Sequence, residues 1–181
     1  EGRVECWGSE CLLNGFAETF LAGRGVSGTV TIEEEVQSLG GGSWQACAVT
    51  SSGAVWCWGG NRTNTGACLR PRQVEGIDDA VQVDVGQLYS ASWSCAVRSG
   101  GSVSCWGSSP NPSPIDGLDA GVEEVAGLNQ SFCARRSDGT VWCWNNPMAI
   151  PTQVAGVTDA VELDAGNGTF ACVRTSTGQV L

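Results

Sequence analysis

The sequence contains no histidine and no lysine, and these two absences exclude much catalytic chemistry. Histidine is the side chain that titrates near neutral pH and the commonest metal ligand, and lysine supplies Schiff-base amines. Only nine arginines oppose 19 carboxylates, so the net charge is −10. Because affinity for phosphate comes mainly from lysine and arginine, we expect no nucleic-acid partner.

Long apolar runs are missing as well. None approaches the ~18 residues of a membrane-spanning helix, so we expect no membrane insertion, and an acidic chain is repelled by anionic lipid surfaces. The sequence has no glycine-rich phosphate loop, nucleophile elbow or zinc motif, and it has no histidine to complete a zinc site. We therefore predict that the protein is not an enzyme and has no catalytic, cofactor-binding or metal-binding residues.

An internal repeat is what the sequence does contain. Cys47–Trp58 reads CAVTSSGAVWCW, and the same unit returns at Cys95–Trp106 and Cys133–Trp144, each with cysteines ten residues apart. A fourth copy, Cys172–Leu181, stops one residue before its second cysteine, and Gly2–Gly8 (GRVECWG) resembles the missing half. Glycine between two short apolar runs predicts a β-hairpin.

A second repeated segment precedes each hairpin and alternates apolar with polar residues, as in Val81, Val83 and Val85, which is typical of a half-buried strand. Its Pro-x-x-Val-x-Gly beginning suits an edge strand. Aligning the glycines at its end gives steps of 45, 41 and 39 residues between Gly41, Gly86, Gly127 and Gly166. This is the length of a four-stranded propeller blade.

We therefore predict an all-β protein, a propeller-type repeat domain of four units of about 40 residues. The units cover about 28–60, 71–108, 113–146 and 151–181, the last completed by 1–8, with an insertion at 9–27. Two arrangements remain open, a closed four-bladed ring and a segment of a larger propeller. Gly2–Val4 and Gly178–Val180 occupy the same repeat position, so a closed ring would receive one strand twice.

The motif C-A-V-x-(S/T)-x-G-x-V-x-C-W-G, after V-x-G-(I/L/V)-x-D-A and an alternating strand, resembles the repeats of the regulator of chromosome condensation family. It is closest to the extracellular, cysteine-paired variety, and the resemblance covers about 150 of the 181 residues. It implies a β-propeller that acts as a binding scaffold. The histidine that this family often places before the first cysteine is absent, and the acidic charge argues against a chromatin-binding role.

Ten cysteines at repeated spacing indicate disulfides formed in an oxidising compartment, and hence an extracellular protein. Within the repeats we expect Cys47–Cys57, Cys95–Cys105 and Cys133–Cys143. Cys6 occupies the position that would complete the last unit, so Cys6–Cys172 would close a ring. Cys11 and Cys68 lie in neighbouring connections and form the remaining candidate pair.

Eight tryptophans raise the question of aromatic binding sites. One follows the second cysteine of every unit, and a residue repeated in this way is expected to fill the space between blades rather than to bind sugars. These are Trp7, Trp58, Trp106 and Trp144. The tryptophans outside that position are the better ligand candidates, with Trp44 and Trp93 assigned to loops; they are Trp44, Trp56, Trp93 and Trp142.

The recurring carboxylates Asp79, Asp119 and Asp159 are interpreted as turn-capping residues rather than as a calcium site or a glycosidase pair. Three sequons provide candidate glycosylation sites at Asn61, Asn129 and Asn167.

The sequence predicts a non-enzymatic extracellular interaction or structural scaffold that recognises a protein or glycan partner through variable loops. The loops are Ser9–Ser27, Gly59–Arg70 and Ser108–Pro114. The alternatives are a lectin-like propeller that binds through loop tryptophans, an inhibitor of a secreted enzyme, and a self-assembling subunit of a surface filament. A hydrolase that uses carboxylates alone is the least favoured.

Overall fold

The computed structural model describes residues 2–8, 26–42, 45–59, 69–88, 91–107, 111–145, 149–166 and 168–181. These residues form 16 β-strands and no helix. The first eight strands are β1 (Gly2–Gly8), β2 (Val26–Ile32), β3 (Val36–Gly41), β4 (Gln45–Thr50), β5 (Val55–Gly59), β6 (Leu69–Gln73), β7 (Ala80–Leu88) and β8 (Ala91–Arg98). The others are β9 (Val103–Trp106), β10 (Ser113–Pro114), β11 (Val122–Gly127), β12 (Phe132–Arg136), β13 (Val141–Trp144), β14 (Thr152–Gln153), β15 (Ala160–Ala165) and β16 (Ala171–Thr175).

The strands form three four-stranded antiparallel sheets between two two-stranded ones. Strands β3–β6 make blade 1, β7–β10 blade 2 and β11–β14 blade 3. Strands β1 and β2 form the N-terminal half-sheet, and β15 and β16 form the C-terminal half-sheet. Consecutive sheets contact each other through their first strands, since β3 lies against β7, β7 against β11 and β11 against β15.

The sequence repeat and the blade are offset by one strand. The fourth strand of each blade is the Pro-containing segment that opens the next repeat, and it lies at the edge of the sheet as predicted. Each repeat therefore contributes three strands to one blade and the edge strand to the blade before it.

The strand registers correct the glycine alignment. The residue opposite the first cysteine is Gly40 in blade 1, Asp84 in blade 2, Ala126 in blade 3 and Asp164 in the C-terminal half-sheet. Gly41 and Gly127 are thus equivalent, whereas Gly86 and Gly166 lie one position further along. In all four sheets a β-bulge between the first and second strands shifts the register, which a count of residues cannot show.

The hydrophobic core lies between successive sheets. The face of blade 1 that carries Cys47 and Cys57 packs against Val83, Val85 and Trp106 of blade 2. The same arrangement recurs between blades 2 and 3 and between blade 3 and the C-terminal half-sheet. On the other side, Ala48 and Trp58 of blade 1 pack against the N-terminal half-sheet. Each sheet therefore has one face toward the preceding sheet and one toward the next.

Backbone contacts between blades repeat at the hairpins. The amide of Ala80 donates to the carbonyl of Gly53 in the preceding blade at 3.0 Å, and Val122 and Ala160 make the same bond to Gly101 and Gly139. Gly53 has a φ of +83°, and a Cβ there would lie 2.6 Å from the carbonyl oxygen of Asp78. The hairpin glycine is thus required both by its own conformation and by the neighbouring blade.

No helix in the part of the chain that the structure describes is long and apolar enough to span a membrane.

Candidate binding surfaces

The antiparallel order of the strands gives the blades two different edges. The turns between strands 1 and 2 and the connections between strands 3 and 4 emerge at one edge, which we call the loop face. The hairpins between strands 2 and 3 and the turns that lead to the next blade emerge at the opposite edge, the turn face. The predicted variable connections all leave from and return to the loop face, although residues 9–25, 60–68 and 108–110 lie outside the described part of the chain.

Charge is concentrated at the turn face. Its turns and hairpins carry Glu33, Glu34, Glu35, Glu75, Asp78, Asp79, Asp116, Asp119, Asp138 and Asp159. Local hydrogen bonds hold two of these carboxylates ionised: donation from Thr140 lowers the pKa of Asp138, and donation from Ser52 and Thr50 lowers the pKa of Glu34. Arg98 contacts Asp79 at 2.6 Å and Asp78 at 3.7 Å at the margin of this face.

The described part of the loop face carries no charged side chain. It includes residues 111–112, 128–131, 145, 149–151, 166 and 168–170, which are uncharged polar, glycine, proline or apolar residues. Two of its large hydrophobic residues are exposed to solvent, Ile150 at 78% and Phe170 at 68%. Depletion of charge together with exposed large apolar side chains is the composition found at the centres of protein interfaces.

The turns of the loop face are linked across sheets by backbone hydrogen bonds. The amide of Gln87 donates to the carbonyl of Leu128 at 3.0 Å, and Gln130 donates to the carbonyl of Gln87. The amide of Asn129 donates to the carbonyl of Gly168 in the C-terminal half-sheet at 2.8 Å. Because these bonds run from blade 2 to the C-terminal half-sheet, this part of the loop face is held as one continuous surface.

The structure contains three of the five expected disulfides, Cys47–Cys57, Cys95–Cys105 and Cys133–Cys143. Each joins directly opposed residues of the second and third strands, with Cα atoms 4.0–4.1 Å apart. Two cysteines at facing positions of a hairpin are close enough to bond, as the ten-residue spacing predicted. The pairing Cys11–Cys68 lies outside the described residues.

The expected Cys6–Cys172 bond is not formed in this structure, because Cys172 is a free and exposed thiol. Cys6 belongs to the N-terminal half-sheet and Cys172 to the C-terminal half-sheet, and three blades stand between them. The prediction assumed that the chain closes on itself, whereas the described sheets follow one another without forming a closed ring.

The tryptophans that follow the second cysteine fill the space between blades. Trp58, Trp106 and Trp144 are 3–5% exposed. Trp106 lies in one cluster with Cys47 and Cys57 of the preceding blade, and Trp144 with the next disulfide, Cys95–Cys105. The prediction of a structural role is confirmed for these three indoles, while the side chain of Trp7 lies outside the description.

The tryptophans proposed as ligand candidates are also engaged in packing where the structure describes them. Trp56 and Trp142 are partly buried on the face toward the preceding sheet, and the Trp142 indole donates to Thr140 at 3.0 Å. Trp93 was assigned to a loop, but it lies within β8 and packs beside Gly107. The assignment was wrong because β7 and β8 extend further toward the loop face than their counterparts. Trp44 lies outside the described residues.

The recurring aspartates lie on the turns that lead to the next blade. No group of three or more histidine, cysteine, aspartate or glutamate residues in the described ranges is arranged to hold an ion. Asp79 pairs with Arg98, and Asp159 accepts a hydrogen bond from the Ser176 hydroxyl at 3.3 Å, which is consistent with capping of turns. Asp119 lies on the corresponding turn but is not equivalent in position to Asp79 and Asp159. The equivalent residue in that turn is Gly121, two residues after Asp119.

Polar side chains on the first strands join successive blades, a role that the sequence analysis missed. The Gln82 amide accepts from the Val125 N–H at 3.0 Å and donates to the Val125 carbonyl at 2.9 Å. At the equivalent position in blade 3, Glu124 accepts from the Leu163 N–H at 2.9 Å and from Arg135 at 3.1 Å. The sequence feature that could have indicated these contacts is a polar residue at the same position of successive first strands, Gln82 in one and Glu124 in the next.

Asp84 connects three blades near their first strands. Its carboxylate accepts the Gly127 N–H at 2.7 Å and also interacts with the backbone of Gly41. Burial raises the pKa of Asp84, and although backbone hydrogen bonds counteract this, the nearby charge of Asp164 adds to it. Burial also disfavours the charged form of Arg135, which by itself would lower the pKa of this base. Hydrogen bonds to Glu123 and Glu124 outweigh the effect of burial, and the pKa of Arg135 is raised.

An apolar cavity of about 410 Å³ lies between blade 3 and the C-terminal half-sheet. Its walls include Cys133 and Cys143 on one side and Leu163, Val173 and Leu181 on the other. In the two preceding gaps the corresponding place beside the disulfide holds Trp106 or Trp144. The cavity thus lies at the place that an indole occupies in those two gaps.

Of the three sequons, the structure describes the asparagine of one. Asn129 lies at the loop face and is partly exposed, so the side chain is accessible at its turn. Asn61 and Asn167 lie outside the described residues, in segments that begin and end at the same face.

No family model and no curated protein matches the chain. Solved structures do. Yeast RCC1 (Prp20), solved bound to Kap60, is 13% identical to this chain with a TM-score of 0.66. The matched region covers 85% of this chain and 45% of the yeast chain. A second structure of Prp20 from Saccharomyces cerevisiae, studied for its binding to Gsp1p and histones, gives 17% identity, a TM-score of 0.65 and coverages of 82% and 44%.

Human WBSCR16 is 16% identical with a TM-score of 0.63, covering 83% of this chain and 48% of its own. The ectodomain of the Arabidopsis thaliana receptor kinase ACR4 is 19% identical with a TM-score of 0.50, covering 81% and 50%. The chain thus spans about half the length of these proteins. At such identities the similarity is one of fold, and the conclusion is that the chain has the all-β, propeller-type fold of RCC1-like proteins, stabilised by a disulfide in each of the three blades.

Proposed function

We propose that this chain is a non-enzymatic, extracellular protein-interaction module that binds a protein partner through its loop face. The observation that supports this proposal most directly is the separation of charge between the two faces. The turn face carries ten carboxylates, whereas the described loop face has none and exposes Ile150 and Phe170. The centres of protein interfaces are depleted in charged residues and enriched in aromatic ones.

The repeated residues are committed to the fold, which leaves recognition to the segments that vary. The cysteines, Trp58, Trp106 and Trp144 and the first-strand polar residues all make contacts within or between blades. Solved propellers with this fold bind proteins, since Prp20 was solved with Kap60 and studied with Gsp1p and histones. Three disulfides in a small chain favour an oxidising setting outside the cell.

A protein partner is favoured over a glycan. Sugar-binding sites need exposed aromatic faces, but Trp56, Trp93 and Trp142 are packed against the core. Of the tryptophan candidates, only Trp44 is left to carry the lectin alternative. A glycan array probed with the wild-type chain and with Trp44→Ala tests it, because glycan binding that disappears in the variant would replace the protein-partner proposal.

The proposal is tested by capture from the native extracellular medium with two matched variants. One removes the exposed loop-face side chains, Ile150→Ala with Phe170→Ala, and the other removes exposed turn-face carboxylates, Asp116→Ala with Asp119→Ala. All four residues are exposed, so each change is expected to alter the free energy of unfolding by less than about 0.5 kcal/mol per site.

We expect the loop-face variant to lose the captured protein and the turn-face variant to retain it. The reverse result would assign binding to the acidic face and refute the proposal. Because the chain has no lysine, amine-reactive cross-linkers would be restricted to its N-terminus. The contact is better mapped with photo-reactive residues placed at each face.

A further inference from the structure

One residue of the described chain has a backbone conformation that is otherwise found only at glycine. Nine described glycines have a positive φ, and Gln130 is the one other described residue that does, with a φ of +74°. A side chain in this left-handed region crowds the backbone, so glycine is the residue that normally occupies it. A glutamine in this conformation destabilises the fold and therefore calls for an explanation.

Gln130 lies at the tip of the turn between β11 and β12, on the loop face. The Leu128 N–H donates to the Ser131 carbonyl at 2.9 Å, which leaves Asn129 and Gln130 as the two corner residues. The Gln130 N–H donates to the carbonyl of Gln87 in blade 2, and the Asn129 N–H donates to the C-terminal half-sheet at 2.8 Å. Because both neighbouring sheets hold this turn, the fold imposes the left-handed conformation on whatever residue stands at this position.

The side chain of Gln130 is not engaged by the described part of the fold. It is exposed to solvent, and its amide makes no hydrogen bond with any described residue. Among the described contacts, the fold gains nothing from this side chain that a glycine would not provide. Backbone strain that is retained at an exposed position is characteristic of functional sites, where stability is given up for activity.

The chain itself contains an example of what a glutamine amide does beside a strand. The Gln82 amide donates to the Val125 carbonyl at 2.9 Å and accepts the Val125 N–H at 3.0 Å. In an extended strand the N–H and the C=O of one residue point to the same side, so a single planar amide can bond both. In a helix these groups are bonded internally, so an amide in this arrangement selects extended backbone.

We infer that Gln130 recognises the backbone of the partner protein, by pairing its amide with the N–H and C=O of one residue in an unpaired, extended segment. This inference deepens the proposed binding of a protein at the loop face and rests on it. The partner is therefore a protein that presents an edge strand or an extended peptide. The contact repeats, between two proteins, the pair of hydrogen bonds that Gln82 makes between two blades.

The side chains of the recognised segment are uncharged and include apolar residues. The described part of the loop face has no charged residue, and Ile150 of the same blade is 78% exposed there. A segment rich in arginine or lysine would be drawn instead to the carboxylates of the turn face. An acidic segment would be repelled by a chain whose net charge is −10.

The cost of the strain is measured first, without a partner. Gln130→Gly removes both the strain and the amide, whereas Gln130→Ala removes the amide and keeps the strain. In thermal unfolding with the disulfides oxidised, we expect the glycine variant to unfold about 2–4 °C above the wild type and the alanine variant to stay close to it. A glycine variant no more stable than the wild type would contradict the inference, because the glutamine would then carry no cost.

Binding is then measured with linear peptides selected on the wild-type chain from a displayed random library. We expect uncharged sequences with apolar residues, and we expect both Gln130 variants to weaken their binding roughly tenfold. The backbone nitrogens of a selected peptide are then methylated one at a time. Methylation at one position should weaken binding to the wild type and have little further effect on either variant, because that N–H is the one that Gln130 accepts.

A change of charge at constant size provides a second measurement with a matched control. Gln130→Glu keeps the length and shape of the side chain but cannot donate to a peptide carbonyl, so it should weaken peptide binding as the alanine variant does. Gln73→Glu makes the same change at an exposed glutamine, at the turn-face end of the edge strand β6. We expect the Gln73 variant to bind the peptides as the wild type does.

The outcomes separate this inference from the proposed function. Peptides that lose affinity for the variant Ile150→Ala with Phe170→Ala, yet bind every Gln130 variant as tightly as the wild type, would overturn the role of Gln130 and leave the loop face as the binding surface. Peptides that bind all these variants equally would refute the loop-face proposal as well. A library that yields no binder to the wild-type chain, or only basic peptides, would also rule out the recognition of an uncharged extended segment.

Discussion

The spacing between first strands depends on Gly127, and replacing this residue with alanine tests the whole description of the blade contacts. A Cβ at Gly127 would lie 2.5 Å from the amide nitrogen of Gly86 and 2.6 and 2.7 Å from the carbonyl carbon and oxygen of Val85. All three atoms belong to the backbone of the preceding blade, so none can move aside by a change of rotamer. Gly41 is the equivalent residue of blade 1, and a Cβ there would meet nothing within 4 Å.

The two substitutions are expected to change stability in opposite directions. Gly127→Ala must push two blades apart by several tenths of an ångström, and overpacking of this kind costs about 1–3 kcal/mol. Gly41→Ala adds no contact and removes backbone freedom from the unfolded chain, which stabilises proteins by about 0.4–1 kcal/mol where the conformation permits it. The two variants should therefore differ by about 1.4–4 kcal/mol in the free energy of unfolding.

Denaturant unfolding followed by tryptophan fluorescence, with the disulfides kept oxidised, measures this difference. Both variants have the same composition and nearly the same local strand, so they serve as controls for each other. Equal unfolding midpoints, or a lower midpoint for Gly41→Ala, would show that the first strands of blades 2 and 3 are not in contact as described.

Three further results are expected. Burial raises the pKa of Asp84, so the folded state holds the carboxyl proton more tightly than the unfolded state does. Stability therefore falls as the pH rises from about 3.8 through the raised pKa. Asp84→Asn should flatten this part of a plot of urea midpoint against pH. Trp144→Ala should cost about 3–5 kcal/mol and Ile150→Ala less than about 0.5 kcal/mol, measured by thermal or chemical unfolding, since only the first is buried. Replacing Cys95 and Cys105 together with alanine should cost at least about 2–3 kcal/mol, and an unchanged midpoint would contradict the role assigned to that disulfide.

The hairpins could be predicted because their determinants are local. Cysteines ten residues apart, a glycine between them and apolar residues on alternate positions define two facing strands without reference to the rest of the chain. The structure has β4 and β5, β8 and β9, and β12 and β13 at these places. The edge position of the Pro-containing strands was predictable for the same reason, since proline cannot donate a ladder hydrogen bond.

The contacts between blades could not be predicted, because they depend on curvature and register. Gly86 and Gly166 lie one position further along their first strands than Gly41 and Gly127, and only the strand registers reveal this difference. The polar contact of Gln82 with Val125 spans 43 residues, and nothing near Gln82 in sequence indicates it. The pairing of Cys6 with Cys172 followed from the repeat pattern, but whether two ends meet depends on the small rotation added at every blade.

The residues of the candidate binding surfaces were the least predictable. Tryptophan was taken as a possible ligand platform at Trp56, Trp93 and Trp142, yet a large aromatic ring in a small sheet is most easily accommodated in the core. The distribution of carboxylates was visible in the sequence, but which turns share an edge became clear only from the strand order. The contrast between the acidic turn face and the uncharged described part of the loop face is thus a property of the topology.

The one-strand offset between repeat and blade has a consequence for how such proteins change in length over generations. A gene duplication or deletion that adds or removes one whole repeat alters parts of two blades at once. Nevertheless each blade between two neighbouring repeats remains four-stranded, because the following repeat supplies an edge strand of the same Pro-x-x-Val type. Copy number can therefore vary without an unpaired third strand ever being inherited, and selection is free to adjust the span of the protein one repeat at a time.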